Sequence, residues 1–299
     1  MNDSSLKSRS DKVFQVVIYV ILAFFAFICI MPFVMLLASS LTDDAALTQQ
    51  GYCFWPWEFS GYAYKYLFVT NAAKVFRSYG ITIFVTVVGT ALSLLVGPML
   101  AWPLSRKDYP RAKQITFLVF FTMLLNGGLV PSYMMWTQAF HIKNTIWALI
   151  FPTLLFNGFY IILYKNNFSS NIHPALVEAA KIDGAGEFYI YFKIVLPLSL
   201  PILATIGLMV ALGYWNDWMN GLYYISDANL YSLQQYLKSI IDNINALASS
   251  GSAGMTAANM PSTSIRMAMA VIGVLPILCL YPFFSKAFVA GIALGGVKE

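Results

Sequence analysis

Charge is what this chain has least of. Asp, Glu, Lys and Arg make up 10% of its 299 residues, and hydrophobic residues make up 59%. Soluble domains carry about 25% charged residues, so a soluble globular protein is excluded. Histidine and cysteine are nearly as scarce. The two histidines, His141 and His173, stand far apart, and the three cysteines are Cys29, Cys53 and Cys279. That set offers neither a disulfide framework nor a metal-ligand spacing. No His or Cys stands beside an acid, and no Gly-rich run ends in Lys-Ser or Lys-Thr as a phosphate cradle would. Hence no catalytic residue, no metal site and no nucleotide site is read from this chain. The net charge of +5 is scattered over loops and does not point to nucleic acid.

What is present is long uncharged chain. Residues 13–38 hold no charge. As a helix that run is about 39 Å long, against about 30 Å of bilayer hydrocarbon. A cleaved signal peptide has an apolar core of about 7–15 residues, so this run reads as a retained first helix, with Pro32 a candidate bend. Five more apolar spans follow at residues 79–104, 115–133, 145–164, 198–225 and 267–284. The third is interrupted by Asn126-Gly127-Gly128 and Pro131. The expectation is an all-α membrane protein with six transmembrane helices.

An even number of spans places both termini on one side. The tails and the loops at 103–114 and 165–197 hold 12 Lys and Arg, and the loops at 42–77, 134–144 and 226–266 hold 6. The excess marks the cytoplasmic face, so both termini and the 165–197 loop are expected in the cytoplasm. The loop at 42–77 clusters Trp55, Pro56, Trp57, Tyr62, Tyr64 and Tyr66. Such a cluster suits a headgroup-level segment or a partner surface. The stretch 226–264 reads as a polar loop, rich in Ser, Ala, Asn and Gly over its second half.

Charge returns in one patterned run, residues 178–197, EAAKIDGAGEFYIYFKIVLP. Pro174 suits the first turn of a helix, where its missing N–H is no loss. Ala179 and Ala180 favour helix, and Gly184 stands where a left-handed helix stop puts glycine. A second helix starts near Glu187, an acid placed well for a helix N-terminus. Small residues leave the backbone approachable, and Glu178 and Asp183 supply fixed charge. A docking knob and an amphipathic helix lying on lipid headgroups both fit this pattern.

A second polar run, Tyr214-Trp215-Asn216-Asp217-Trp218, lies in the fifth span. A carboxylate deep in hydrocarbon costs roughly 2.5–3.5 kcal/mol, so Asp217 is expected to face protein or water. It either lines a polar path or sits in an aromatic belt at the outer interface. Asn126 and Asn157 are interhelical hydrogen-bonding groups or path-lining groups. Gly89, Gly97, Gly207 and Gly213 permit close helix contact.

Glu178-Ala179-Ala180, Gly184 and Ile194-x-Leu196-Pro197 match every fixed position of EAA-x3-G-x9-I-x-LP. The chain thereby resembles the permease subunits of ABC importers. The 214–218 run, Tyr231-Ser232-Leu233-Gln234-Gln235-Tyr236-Leu237, and the ending Tyr281-Pro282-Phe283-Phe284…Gly295-Gly296-Val297-Lys298 extend the resemblance to binding-protein-dependent sugar permeases of the LplC/YtcP-like carbohydrate branch. The resemblance implies a type I importer (MetI-like) permease fold with a cytoplasmic coupling helix. It divides the chain into a tail at 1–12, a peripheral helix at 13–41, an extracellular loop at 42–75, a core at 76–289 and a tail at 290–299.

It also implies that Glu178, Ala179, Ala180, Asp183, Gly184 and Ala185 contact a cytoplasmic ATPase. The substrate path would involve Asn126, Asn157, Tyr214, Trp215, Asn216, Asp217 and Trp218. Implied partners are a second, non-identical permease, two ATPase subunits and an extracellular solute-binding lipoprotein, in the cytoplasmic membrane of a bacterium. ATP and magnesium would reside in the ATPase, with no cofactor in this chain. An ion-coupled secondary transporter is the rival, but such proteins carry ionisable groups near mid-membrane, and these spans hold almost none. An importer of a non-sugar solute is the other alternative.

Overall fold

Thirty-two residues, Arg9–Ser40, form the first helix of the chain, and Pro32 sits inside it. Its apolar stretch, Lys12–Ser40, stands clear of other protein over most of its length, and only Ala38, Ser39 and Ser40 at its end are buried. Phe24, Phe25, Phe27 and Ile30 stand open along it, as a lipid-facing helix requires. This is a computed structural model, and it describes residues 9–125, 127–152, 155–249 and 263–278. Asn126, Cys279, the start of the N-terminal tail, the whole C-terminal tail and the last third of the sixth predicted span lie outside the described residues. So does the stretch 250–262.

The chain divides into two compact units. The smaller comprises residues 1–72 and 243–274. In it the hydroxyl of Ser40 pairs with that of Tyr64 at 2.8 Å. Asp43 caps the short helix Asp44–Gln50 through Ala45 N–H at 3.1 Å. Asp44 accepts the N–H groups of Thr263 and Ser264 at 2.8 and 2.9 Å. Those are unpaired donors at the start of helix Thr263–Leu278, where a carboxylate is favoured. Cys53 is buried with Ala38 and Leu47, so packing accounts for it. Trp55 and Trp57 remain exposed.

The larger unit comprises residues 73–242 and 275–299. Helix Ala72–Ser105 runs 34 residues with Pro98 and Pro103 inside, so it starts earlier than the predicted 79. The third predicted span consists of two pieces, Ala112–Leu124 and Leu129–Ala139. Gly128, at a φ of 86° that favours glycine, starts the second piece. The expectation for 145–164 needs correcting, because no single helix covers it. A 3-10 turn Ile146–Leu149 is followed by helix Gly158–Asn171. Asn157 starts that helix by accepting Phe159 N–H at 2.9 Å, a stronger local signal than the average hydropathy around it.

The fifth span is also re-drawn. Glu187–Leu198 and Leu200–Trp215 meet at an 80° bend. Pro197 and Pro201 flank the buried Ser199 at that corner, and neither proline can donate to a continuous helix. A further short helix, Met219–Tyr224, follows the break at 216–218. The predicted polar loop at 226–264 is corrected too, since it contains the helix Leu233–Ser249. Ser232 accepts Gln235 N–H at 3.3 Å, half of a capping box. Leu233, Tyr236 and Leu237 are buried, while Lys238 and Asp242 pair on the outer face.

Glycines set the closest approaches in this unit. A Cβ on Gly89 would fall 2.4 Å from the Tyr214 ring, and one on Gly97 would fall 3.3 Å from Tyr164. The core around them includes Trp102, Tyr164, Phe168, Tyr191 and Tyr214.

Candidate functional site

The patterned run folds as a helix, a stop and a second helix. Helix Pro174–Ile182 has Pro174 at its first position, and His173 Nδ1 accepts Ala175 N–H at 3.3 Å. The stop is a Schellman motif. Ala185 N–H donates to Ala180 O at 2.9 Å, and Gly184 N–H to Lys181 O at 3.0 Å. Gly184 takes a φ of 80° with open space where a Cβ would lie, so the backbone, not crowding, demands glycine there. Gly186 then starts the next helix at Glu187.

One face of the first helix is anchored and the other is free. Val177 is buried, and Ala180 and Ala185 pack against the core. Ala175, Glu178, Ala179 and Ile182 are all exposed. Their spacing, i, i+3, i+4 and i+7, puts them on one stripe. Ile182 is 86% exposed, an apolar tip beside the Glu178 carboxylate. Of the residues expected to meet a partner, Glu178, Ala179, Asp183 and Gly184 are exposed, whereas Ala180 and Ala185 are half-buried on the anchored side. Ala175 and Ile182 were missed, although the helical spacing from Glu178 and Ala179 was there to be read.

Beside this turn lies a ring of four charges that sequence reasoning also missed. Arg106 follows directly on helix Ala72–Ser105 and bonds both Asp108 and Glu187. Lys181 lies 3.1 Å from Glu187 and 3.7 Å from Asp108. The hydrogen bond from Arg106 holds the Asp108 carboxyl down at about 2. Glu187 is thus held by two cations, Arg106 and Lys181. The hydrogen bond to Asp108 does most to keep Arg106 charged, raising its pKa further.

The 214–218 run does not present one polar wall. Tyr214 and Trp215 are buried. Tyr214 donates to Ile150 O at 2.8 Å, and the Trp215 ring lies 6.5 Å from that of Tyr79. Asn216 is exposed and donates to Leu212 O at 2.9 Å. Asp217 Oδ1 accepts the N–H groups of Met219 and Asn220, both at 3.1 Å, so it caps helix Met219–Tyr224. Asn220, buried nearby, donates to Pro152 O at 3.2 Å. Trp218 is partly exposed, with the Lys238 ammonium 5.8 Å from its ring. Asn157 caps its own helix, and Asn126 lies outside the described residues.

Known proteins are similar to this chain over nearly all of its length. The family described as "Binding-protein-dependent transport system inner membrane component" matches residues 3–294. The permease YtcP of a polygalacturonan/rhamnogalacturonan transport system of Bacillus subtilis (strain 168) is 38% identical over 288 residues, 96% of this chain and 99% of YtcP. Protein LplC of the same organism is 37% identical over 291 residues, 97% of each chain. A solved chain from a bacterial ABC transporter involved in the import of the acidic polysaccharide alginate has a TM-score of 0.77 at 30% identity. It covers 95% of this chain and 100% of its own. The protein therefore belongs to the binding-protein-dependent transport system inner membrane components, with the all-helical MetI-like fold of ABC importer permeases.

Proposed function

We propose that this chain is one of two non-identical permeases in an ATP-driven importer whose solute is a carbohydrate, an oligosaccharide in particular. The observation that carries the coupling role is the free stripe Ala175, Glu178, Ala179 and Ile182 on a helix that is capped at both ends. In this reading helix Pro174–Ile182 is the coupling helix and docks on a cytoplasmic ATPase subunit. Ile182 fills an apolar recess there, Glu178 faces a basic group, and Ala179 allows close approach. Two ATPase subunits hold ATP and magnesium, and their closure moves this helix so that the path opens alternately to either side. A solute-binding lipoprotein delivers the solute from outside, and the region around helix Leu233–Ser249 meets it.

Six crossings are proposed, with both termini in the cytoplasm. Helices Lys12–Ser40 and Ala72–Ser105 and the two bent pairs account for four. Helices Gly158–Asn171 and Thr263–Leu278 supply the others. The proposed boundaries are a peripheral helix at 13–41, an outer loop at 42–75 and a core at 76–289.

The saccharide reading rests on what the relatives are named for: polygalacturonan and rhamnogalacturonan, arabinooligosaccharides in Halalkalibacterium halodurans, and alginate. Exposed Asn216 and Trp218 suit a sugar's hydroxyls and its C–H face. Tyr214, Trp215 and Asp217 hold that corner in shape.

Purification from membranes at native expression tests the assembly. The expected result is a second permease and an ATPase retained with this chain. Glu178→Lys places like charge against the proposed basic group and should weaken ATPase retention about tenfold or more, with the second permease still bound. A chain that runs alone, or a Glu178→Lys variant with its ATPase undiminished, would contradict the coupling role.

A further inference from the structure

The four charges beside the turn form a closed ring. Arg106 touches Asp108 and Glu187, and Lys181 touches the same two acids. Its members come from three places: the segment just past helix Ala72–Ser105, the last turn of helix Pro174–Ile182, and the first turn after the Gly184 stop. The ring thus ties both arms of the turn to the end of one long helix. We propose that Arg106, Asp108, Lys181 and Glu187 are positioning residues that make the proposed coupling helix and the helix Ala72–Ser105 move as one body. This rests on the importer reading above.

Three observations support it. The Arg106 side chain is only 14% exposed, against 61% for Asp108 and 56% for Glu187. Isolated exposed ion pairs contribute little, but a network with a bidentate arginine fixes geometry. Next, the guanidinium lies 5.7 Å from the ring of Trp102, which packs edge-on against Phe168 at 6.2 Å. The ring of charges is therefore seated on the core. Finally, Ser169 donates to Ser105 O at 3.1 Å, which fastens the end of helix Gly158–Asn171 to the same point.

Helix Ala72–Ser105 runs unbroken through Pro98 and Pro103, and Gly97, Pro98, Ala101, Trp102 and Leu104 around them are buried, so packing holds that end of the helix. Its Gly97 touches Tyr164, and its Gly89 is set directly on the Tyr214 ring. Any displacement of its cytoplasmic end by the turn reaches Tyr214 through close-packed contacts, which have little room to absorb it. An arginine suits the hub, because its planar fork reaches two acids at once while a lysine is a point charge.

Spin labels test this in the assembled importer. Leu176→Cys, on helix Pro174–Ile182 but off the docking stripe, and Leu95→Cys, both at exposed positions, are labelled in a cysteine-free background. Their separation is measured by pulsed electron resonance, without nucleotide and with ATP trapped. In the parent the separation should be single-valued and the same in both states. Arg106→Gln should add a second, displaced population in both states, and Arg106→Lys a smaller one. Asp108→Asn and Glu187→Gln open the ring elsewhere and should do the same, so misfolding of one variant leaves the test intact. A separation that changes with nucleotide in the parent, or one that ignores all three ring-opening substitutions, would overturn the one-body proposal. Loss of the ATPase from the parent complex would instead sink the importer reading. The nucleotide-free comparison still judges the ring in that case.

Discussion

At Gly184 and at Asp217 the chain ends one helix and begins another, but the two corners use their side chains in opposite ways. Around Gly184 the backbone closes its own hydrogen bonds through the Schellman pair, which leaves Glu178, Ala179 and Ile182 free at the surface. Around Asp217 the polar groups turn inward. The carboxylate caps a helix, Tyr214 binds the Ile150 carbonyl, and Asn220 binds the Pro152 carbonyl. The first corner leaves side chains at the surface, where the proposed docking needs them, and the second holds three segments of the same chain together.

That contrast can be broken by substituting a glycine at each corner. Gly89 lies on the Tyr214 ring, which is buried and hydrogen-bonded and cannot swing aside. Gly89→Ala is expected to cost about 1–3 kcal/mol through overpacking, seen as a lower melting temperature in detergent. Gly184 meets no neighbour, so Gly184→Ala should cost only the left-handed backbone penalty, about 1–2 kcal/mol. Its melting temperature should fall less than that of Gly89→Ala, and its larger effect should be local, a loss of ATPase retention. If Gly184→Ala melts lower than Gly89→Ala, the two corners do not differ as described.

The smallest expected effect concerns pH. Asp108 titrates at about 2 when folded, below its ordinary 3.8. A lowered folded value means its contribution is present above the unfolded value and lost as pH falls through the folded one. Stability should therefore be level in this respect from neutral down to about pH 4 and decline between about 4 and 2. Asp108→Asn should remove that part of the decline. The carboxylate is mostly exposed, so the change should be slight.

These differences also explain what the sequence could tell. Pro174, Gly184 and Glu187 were legible because helix caps are local backbone chemistry, readable within a few residues. The breaks between Leu124 and Leu129 and at Ser199 were half-legible, since Gly128, Pro197 and Pro201 mark breaks without giving their geometry. Helix Leu233–Ser249 was hidden by its own polarity. A hydropathy window sees an amphipathic helix as loop, although Ser232 and Gln235 carried a capping signal. The charge ring was out of reach, because Arg106 and Glu187 lie 81 residues apart and nothing local pairs them. The run at 214–218 stood out by its composition but not by where its residues point, and the packing of Tyr214 on Gly89 is a contact between distant parts of the chain.

Cross-linking from position 182 tests the central claim most directly. Ile182→Cys, carrying a thiol-to-amine cross-linker, is treated in native membranes beside the unsubstituted chain. The account predicts a cross-link to the ATPase subunit from position 182 that Glu178→Lys suppresses. Cross-links from position 182 only to lipid or to this chain itself would contradict it, and the exposed stripe would then lie on the membrane surface.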